Sequence, residues 1–369
     1  MTQSYRAPGR VNLIGEHVDY AGGLVLPAAI ERSIILTGEP TDGHVISIES
    51  AETGSVAEVD SNQSDVHHQG WTRYLAAVVA ELTEAGIPVG GYRGHLASDL
   101  PAGAGLSSSA ALEVCLAGGL ARAFDARLDG MALVELANRA ELRAVGVPCG
   151  IMDQAASVFG TANHALLLDC GTLEHRPVAL APEVALVILD SGVRRSLEGS
   201  AYGERQAEVT RALEVLPAGA AREWDPDRAL AHAGAAGLDE RALRRLRHVL
   251  TERARVQGVV RALESSPIGS EIGRLFLEGH SSLRDDFEVS IPELDLLVEL
   301  AYDEGAVAAR MTGGGFGGAV IALAPARDAD RFGARVIDRY STTTPNAAQF
   351  LVTKAASGAG PEPATSALN

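Results

Sequence analysis

Residues 6 to 27 read RAPGRVNLIGEHVDYAGGLVLP and set Arg10, Asn12, Glu16, His17 and Asp19 between glycines, ahead of an apolar run. Charges and amides this dense are costly to bury unless each ion is paired and each polar group hydrogen-bonded. Carboxylates accept hydroxyl protons and an arginine steadies negative charge, so the pattern fits a polar pocket for a hydroxylated ligand. A salt-bridged turn between two strands accounts for the same residues without a ligand. Farther on, LPAGAGLSSSAAL at 100–112 passes from a strand-like start through Gly103 and Gly105 to Ser107, Ser108 and Ser109, then into good helix formers. Glycines permit a sharp turn, and a helix N-terminus with free amides favours an anion such as phosphate. The loop is not of the GxxxxGK[ST] type, because no lysine follows its glycines. A plain helix cap is the alternative. A third segment, RMTGGGFGGAVIAL at 310–323, surrounds Phe316 with five glycines before an apolar run. It fits either a close approach of backbone to a ligand or a tight hairpin.

The elements that must position these segments follow from the patterning. Strands and hairpins are expected up to about residue 60, then a helix over 71–86 with Tyr74, Leu75, Val78, Val79 and Leu82 at helical spacing. Further helices are predicted at 108–124, 130–144 and 150–159, with strand-like runs near 166–170 and 186–191. From about residue 200 to 305 the chain is helical and rich in Ala, Arg and Glu; the glycine loop with its strand, a helix at 327–340 and the strand-like AQFLVTKA follow. This succession predicts an α+β chain. Its 369 residues favour two domains, divided as 1–180 and 181–355, with a disordered tail at 356–369.

A formal charge of −17 argues against nucleic acid as a partner. Cys115, Cys149 and Cys170 form a sparse, odd set without metal-ligand spacing, which suits reduced thiols in a cytoplasmic protein. No run approaches about eighteen apolar residues and the first ten lack an apolar core, so neither a membrane span nor a signal peptide is expected.

With the three motifs in this order, the chain resembles the GHMP kinase superfamily and, within it, the galactokinase family. GRVNLIGEHVDY is similar to the galactokinase signature, PAGAGLSSSAAL to the superfamily phosphate loop and MTGGGFGGAVIAL to its third motif. CGIMDQAASVFG at 149–160, VRRSLEGSAY at 193–202, RRLRHVLTERARV at 244–256 and SLRDDFEVSIPELDLLVELA at 282–301 extend the likeness, which runs from Ala7 to Val352. The resemblance implies a two-domain α+β GHMP kinase-like fold. Its N-terminal mixed-sheet domain would be ribosomal S5 domain 2-like, its C-terminal domain ferredoxin-like, with the active site in the cleft between them. The implied activity is ATP-dependent phosphorylation of the C1 hydroxyl of D-galactose to α-D-galactose 1-phosphate, which opens galactose (Leloir) catabolism. Galactose and ATP would be the partners, Mg2+ the cofactor, and the protein a monomer or weak homodimer. A kinase for a related monosaccharide such as N-acetylgalactosamine, and a non-catalytic sensor of sugar and ATP, are the alternatives. Sensor relatives can lack a Ser-Ala dipeptide in the phosphate loop, and here Ser109-Ala110 is present.

Carried over residue by residue, the resemblance makes Asp153 the catalytic aspartate and Arg10 the active-site arginine. Glu16, His17, Asp19, Gly150 and Tyr202 fall to the sugar. Gly103, Gly105, Ser107, Ser108, Ser109 and Trp71 fall to the nucleotide, and Ser109 and Glu141 to Mg2+. Bland roles compete with these: a helix N-terminal carboxylate for Asp153, pairing with Arg139 or Arg143 for Glu141, core packing for Trp71 and Tyr74. HVDYA stands where relatives typically read HTDYN, so Val18 and Ala21 remove two polar groups beside Asp19 and bear on sugar specificity.

Overall fold

The computed structural model describes residues 2–63, 68–101, 103, 105–146, 149–194, 200–265 and 269–362. The first half comprises β1 (Gln3–Asn12), β2 (Leu24–Val25), β3 (Pro27–Pro40), β4 (Val45–Ser50), β5 (Val56–Asp60), α1 (Thr72–Glu84), β6 (Tyr92–Ser98), α2 (Ser108–Ala123), α3 (Gly130–Val145), α4 (Met152–Phe159), β7 (His164–Asp169) and β8 (His175–Ala179). The second comprises β9 (Val184–Asp190), α5 (Ser200–Glu214), α6 (Ala220–Glu223), α7 (Pro226–Ala235), α8 (Glu240–Ser265), α9 (Ser270–Asp285), α10 (Pro292–Asp303), β10 (Ala308–Thr312), β11 (Ala319–Pro325), α11 (Ala329–Thr343), β12 (Gln349–Thr353) and β13 (Gly360–Glu362).

Among the described residues the strands form three sheets, ordered β13-β1-β3-β6-β4-β5, β10-β11-β9-β12 and β2-β7-β8. The first is mixed, because β4 runs parallel to β6 while its other pairs are antiparallel. Helices α1 and α2 cover it, with α3 packed on them, and Leu75, Val78, Leu116 and Leu133 share one core with Val11, Leu36, Ile46 and Ile48. In the second sheet β9 comes first in sequence yet lies between β11 and β12, the split order of a ferredoxin-like layer. The near-continuous apolar run VALVILD has its reason there. Leu186 and Ile188 enter one core while Val187 and Leu189 enter another, so the strand is buried on both faces. Helices α10 and α11 supply Leu297, Phe332 and Val336 to that second core.

The predicted elements match within a few residues, with two differences. Strand β8, HRPVA, opens on the exposed His175 and Arg176 at a sheet edge and buries Val178 alone, so no apolar run announces it. The expected disordered tail from 356 is corrected for residues 356–362. The Ala356 amide donates to the Ala29 carbonyl, and β13 pairs antiparallel with β1, Tyr5 opposite Pro361. Its composition suggested disorder, but three residues of extended backbone suffice to complete a sheet edge. Residues 363–369 lie outside the described part. Among the described residues no helix is long and apolar enough to cross a membrane.

Candidate active site

The loop between β6 and α2 turns through Gly103 at φ 72° and Gly105 at φ 75°, and Ser107 also adopts the left-handed region at φ 56°. Among the described residues no side chain caps α2, which leaves its first-turn amides available to an anion. Ser107 does not take the alternative role of a cap: its hydroxyl donates to Asp153 Oδ2.

Asp153 sits in the first turn of α4 and faces Arg10 of β1. Arg10 Nε donates to Oδ1 and Nη2 to Oδ2, each at 2.7 Å, while Nη1 donates to the Gly105 carbonyl at 2.9 Å. One guanidinium therefore ties the catalytic-aspartate candidate to the phosphate loop. Arg10 is buried, whereas the Asp153 carboxylate keeps 27% of its surface exposed and so can meet a ligand.

On the far side of α2, Ser109 Oγ donates to Glu141 Oε1 at 3.1 Å, and Gln154 Nε2 donates to Glu141 Oε2 at 2.6 Å and to Glu113 Oε2 at 3.2 Å. The competing partners of Glu141 are engaged elsewhere: Arg139 and Arg143 bind the Glu81 carboxylate at 2.8 and 2.9 Å. Burial, then the Asp153 charge, raises the Glu141 carboxyl above its ordinary range. A carboxylate and a hydroxyl oxygen this close, beside an open helix N-terminus, form a hard-oxygen pair of the kind Mg2+ accepts when phosphates supply further ligands.

The remaining walls come from the segment after β1. Burial, then the negative charge of Asp153, pushes Asp19 up to about 7. Gly150 abuts it so closely that a Cβ there would stand 1.7 Å from Asp19 Oδ2. Asn138 Nδ2 fixes this turn by donating to the Gly150 carbonyl at 3.1 Å. His17, at φ 60°, lies with its ring centroid 4.7 Å from Phe287 and 5.4 Å from Tyr202. Glu16 is buried and paired with Arg310 of β10, Oε2 to Nη2 at 2.8 Å. Burial raises its carboxyl to about 7 despite that cation.

All of the predicted site residues except Trp71 line one cleft of about 620 Å³. Trp71 stands before α1, donates from Nε1 to Ser55 Oγ at 3.1 Å and packs on the first core. Tyr74, one turn later, does line the cleft. Val18 and Ala21 do not line it. Val18 is fully buried in the second core, so its departure from the usual threonine is absorbed by apolar packing. Sequence reasoning missed Arg194, which lines the cleft, binds both Asp190 oxygens at 2.8 and 2.9 Å and reaches the Gly103 carbonyl at 3.3 Å. It also missed Arg310 and Glu252 behind Glu16; both lie inside quoted motifs, but nothing in their spacing pairs them.

An open helix N-terminus beside an arginine–aspartate pair and a polar cleft is an arrangement suited to phosphoryl transfer, and the family matches place the chain among the GHMP kinases. Residues 73–161 match the GHMP kinases N terminal domain and residues 268–342 the GHMP kinases C terminal domain. Residues 2–40 match the galactokinase galactose-binding signature. A galactokinase of Roseiflexus sp. (strain RS-1) is 40% identical over 361 residues, covering 96% of this chain and 92% of its own. One of Streptomyces coelicolor is 43% identical over 347 residues, covering 91% and 88%. The crystal structure of Lactococcus lactis galactokinase complexed with galactose superimposes with a TM-score of 0.91 at 32% identity, over 97% of this chain and 95% of that one. Methanococcus jannaschii mevalonate kinase, at 16% identity and a TM-score of 0.68 over 96% and 99% of the two chains, shares the fold. The chain belongs to the galactokinase family.

Proposed function

We propose that the protein transfers the γ-phosphoryl group of ATP to the C1 hydroxyl of galactose, giving α-D-galactose 1-phosphate. The observation that carries this reading is the Arg10–Asp153 pair, set between the phosphate loop and the pocket of Glu16, His17, Asp19, Gly150 and Tyr202. Phosphoryl transfer asks a protein mainly for in-line positioning and charge compensation. The sugar sits with its ring hydroxyls toward Asp19, Glu16 and His17, and with C1–OH toward Asp153. Asp153 accepts the hydrogen bond of that hydroxyl and takes its proton as the bond to phosphorus forms. Arg10 holds the aspartate in plane and offsets charge on the moving group, while the amides opening α2 hold the donor phosphates. Ser109 and Glu141 would hold Mg2+, which neutralises phosphate charge when bound. Trp71, outside the cleft lining, carries no role in this reading. The division at residues 1–180 and 181–355 is part of it, with the cleft between the halves.

A panel of monosaccharides assayed for ATP-coupled turnover tests the proposal. Galactose is expected to give the highest kcat/KM and glucose, inverted at C4, a poor one. A preference for N-acetylgalactosamine would move the assignment to the related kinase, and absence of turnover with intact binding would make the protein a sensor.

A further inference from the structure

Helix α8 carries the HVLTERARV segment, and the reaction chemistry leaves it unused. Its inner face is polar where it meets the GEH turn. His248 Nε2 lies 3.0 Å from the Glu16 carbonyl oxygen, and its Nδ1 lies 3.0 Å from Ser282 Oγ. One turn later, Glu252 Oε1 accepts the Gly15 amide at 3.0 Å and Arg310 Nη2 at 2.9 Å. The same Arg310 Nη2 is the nitrogen 2.8 Å from Glu16 Oε2. Glu16, Glu252 and Arg310 are buried, and one guanidinium nitrogen serves two carboxylates. The two are unequally supported. Glu252 also has Arg255, with Nε 2.6 Å from Oε2, whereas neither Glu16 oxygen accepts an aligned hydrogen bond among the described residues.

We propose that Glu252 is a positioning residue for the sugar pocket: by clamping the Gly15 amide and drawing on Arg310, it leaves the Glu16 carboxylate fixed but under-paired, ready to accept a sugar hydroxyl. The inference rests on reading Glu16 as a sugar contact. An acceptor whose lone pairs are taken by an arginine fork has little left for a ligand, and one with half a cation keeps them available. The electrostatics agree. Burial raises the Glu16 carboxyl to about 7 and the Glu252 charge adds to the rise. Burial also opposes ionised Glu252, yet Arg310 and Arg255 together hold it well below the ordinary carboxylate range. The other groups facing Glu16 are Arg10 from β1, its neighbour His17, and His248 from α8, which burial lowers to about 4 and keeps neutral.

The test is galactose affinity by calorimetry from about pH 5 to about pH 8.5, on the natural protein, Glu252→Gln and Arg255→Gln. Glutamine at 252 keeps an acceptor for the Gly15 amide and removes the charge competing for Arg310. The Glu16 inflection then moves to lower pH by about one unit or more. Arg255→Gln leaves Glu252 leaning on Arg310 alone, so the inflection moves to higher pH. Asp19 titrates in the same range in all three proteins and cancels in the differences. Opposite shifts, with kcat and the KM for ATP within about twofold of the natural protein, are the expected result. Coincident inflections, or shifts of the same sign, overturn the proposal. If Glu252→Gln fails to fold, Arg255→Gln decides alone, and absence of an upward shift is fatal. A natural protein that binds no galactose overturns the sugar reading itself, and the proposal with it.

Discussion

Arg10 and Asp153 meet across 143 positions of sequence in a two-point ion pair, both nitrogen–oxygen distances 2.7 Å. An ionised carboxylate offers roughly four acceptor positions. The arginine fork takes one on each oxygen and the Ser107 hydroxyl takes a second on Oδ2, so among the described residues the position left over is on Oδ1. A substrate hydroxyl thus has one place to bind, and the aspartate cannot turn away from it without breaking the fork.

Replacing Asp153 by Asn keeps the side-chain shape but sets an NH2 group against the arginine. Turnover is expected to fall by about 10²-fold or more, the scale of a lost general base, with galactose and ATP still bound in calorimetry. Arg10→Lys should be comparably damaging, since a point charge cannot reach both oxygens and the Gly105 carbonyl. Near-normal turnover of Asp153→Asn would reduce the aspartate to a sugar-holding group.

Ser109→Ala removes one of two hard oxygens 3.1 Å apart. The apparent affinity for Mg·ATP should drop by about tenfold or more, while galactose affinity in the absence of nucleotide stays unchanged. Equal loss of both affinities would show a structural role for the serine.

Asp19 and Glu16 each titrate near 7, both raised by burial. Raised carboxyls are increasingly neutral as pH falls through that value, and a neutral carboxyl loses acceptor charge. Galactose affinity is therefore expected to weaken as pH falls through about 7, and binding at neutrality should release protons. Calorimetry in buffers of different ionisation enthalpy counts them; proton uptake would reverse the assigned charge states.

Gly150→Ala places a methyl where the Asp19 carboxylate stands, 1.7 Å from Oδ2. The aspartate must move, so the KM for galactose should rise about tenfold or more, on the scale of a lost charged hydrogen bond. The KM for ATP should hold. An unchanged galactose KM would remove Asp19 from the sugar's contacts.

Much of this was legible in the sequence because the site's chemistry is carried by short local motifs. The serine run, the GEH turn and CGIMDQ each reveal their residue types directly. Pairings made by the fold were hidden. Glu16, Arg310 and Glu252 come from three distant segments and meet only once β1, β10 and α8 are packed. Arg194 was overlooked although it lies in the quoted VRRSLEGSAY segment, because its place in the cleft depends on pairing with Asp190 at the end of β9, which no local spacing shows. Trp71 is a different case: its three-residue spacing from Tyr74 puts both on one helix face, but it stands at the N-cap of α1 and turns onto Ser55 and the first core, whereas Tyr74 lines the cleft.

The pairing of β13 with β1 has a consequence for how the chain is made. Ser4 lies opposite Glu362 and Arg6 opposite Gly360, so the strand that presents Arg10 gains its outer neighbour only once residues 360–362 have been synthesised, more than 350 positions later. Until then β1 is a sheet edge with unpaired amides and carbonyls, open to pairing with another nascent chain. Contacts between segments so far apart in sequence also slow folding, since the intervening chain must be ordered or looped out first. Ribosome-bound chains halted before residue 360 are therefore expected to aggregate more readily than chains extended past residue 362, and to recover when β13 emerges.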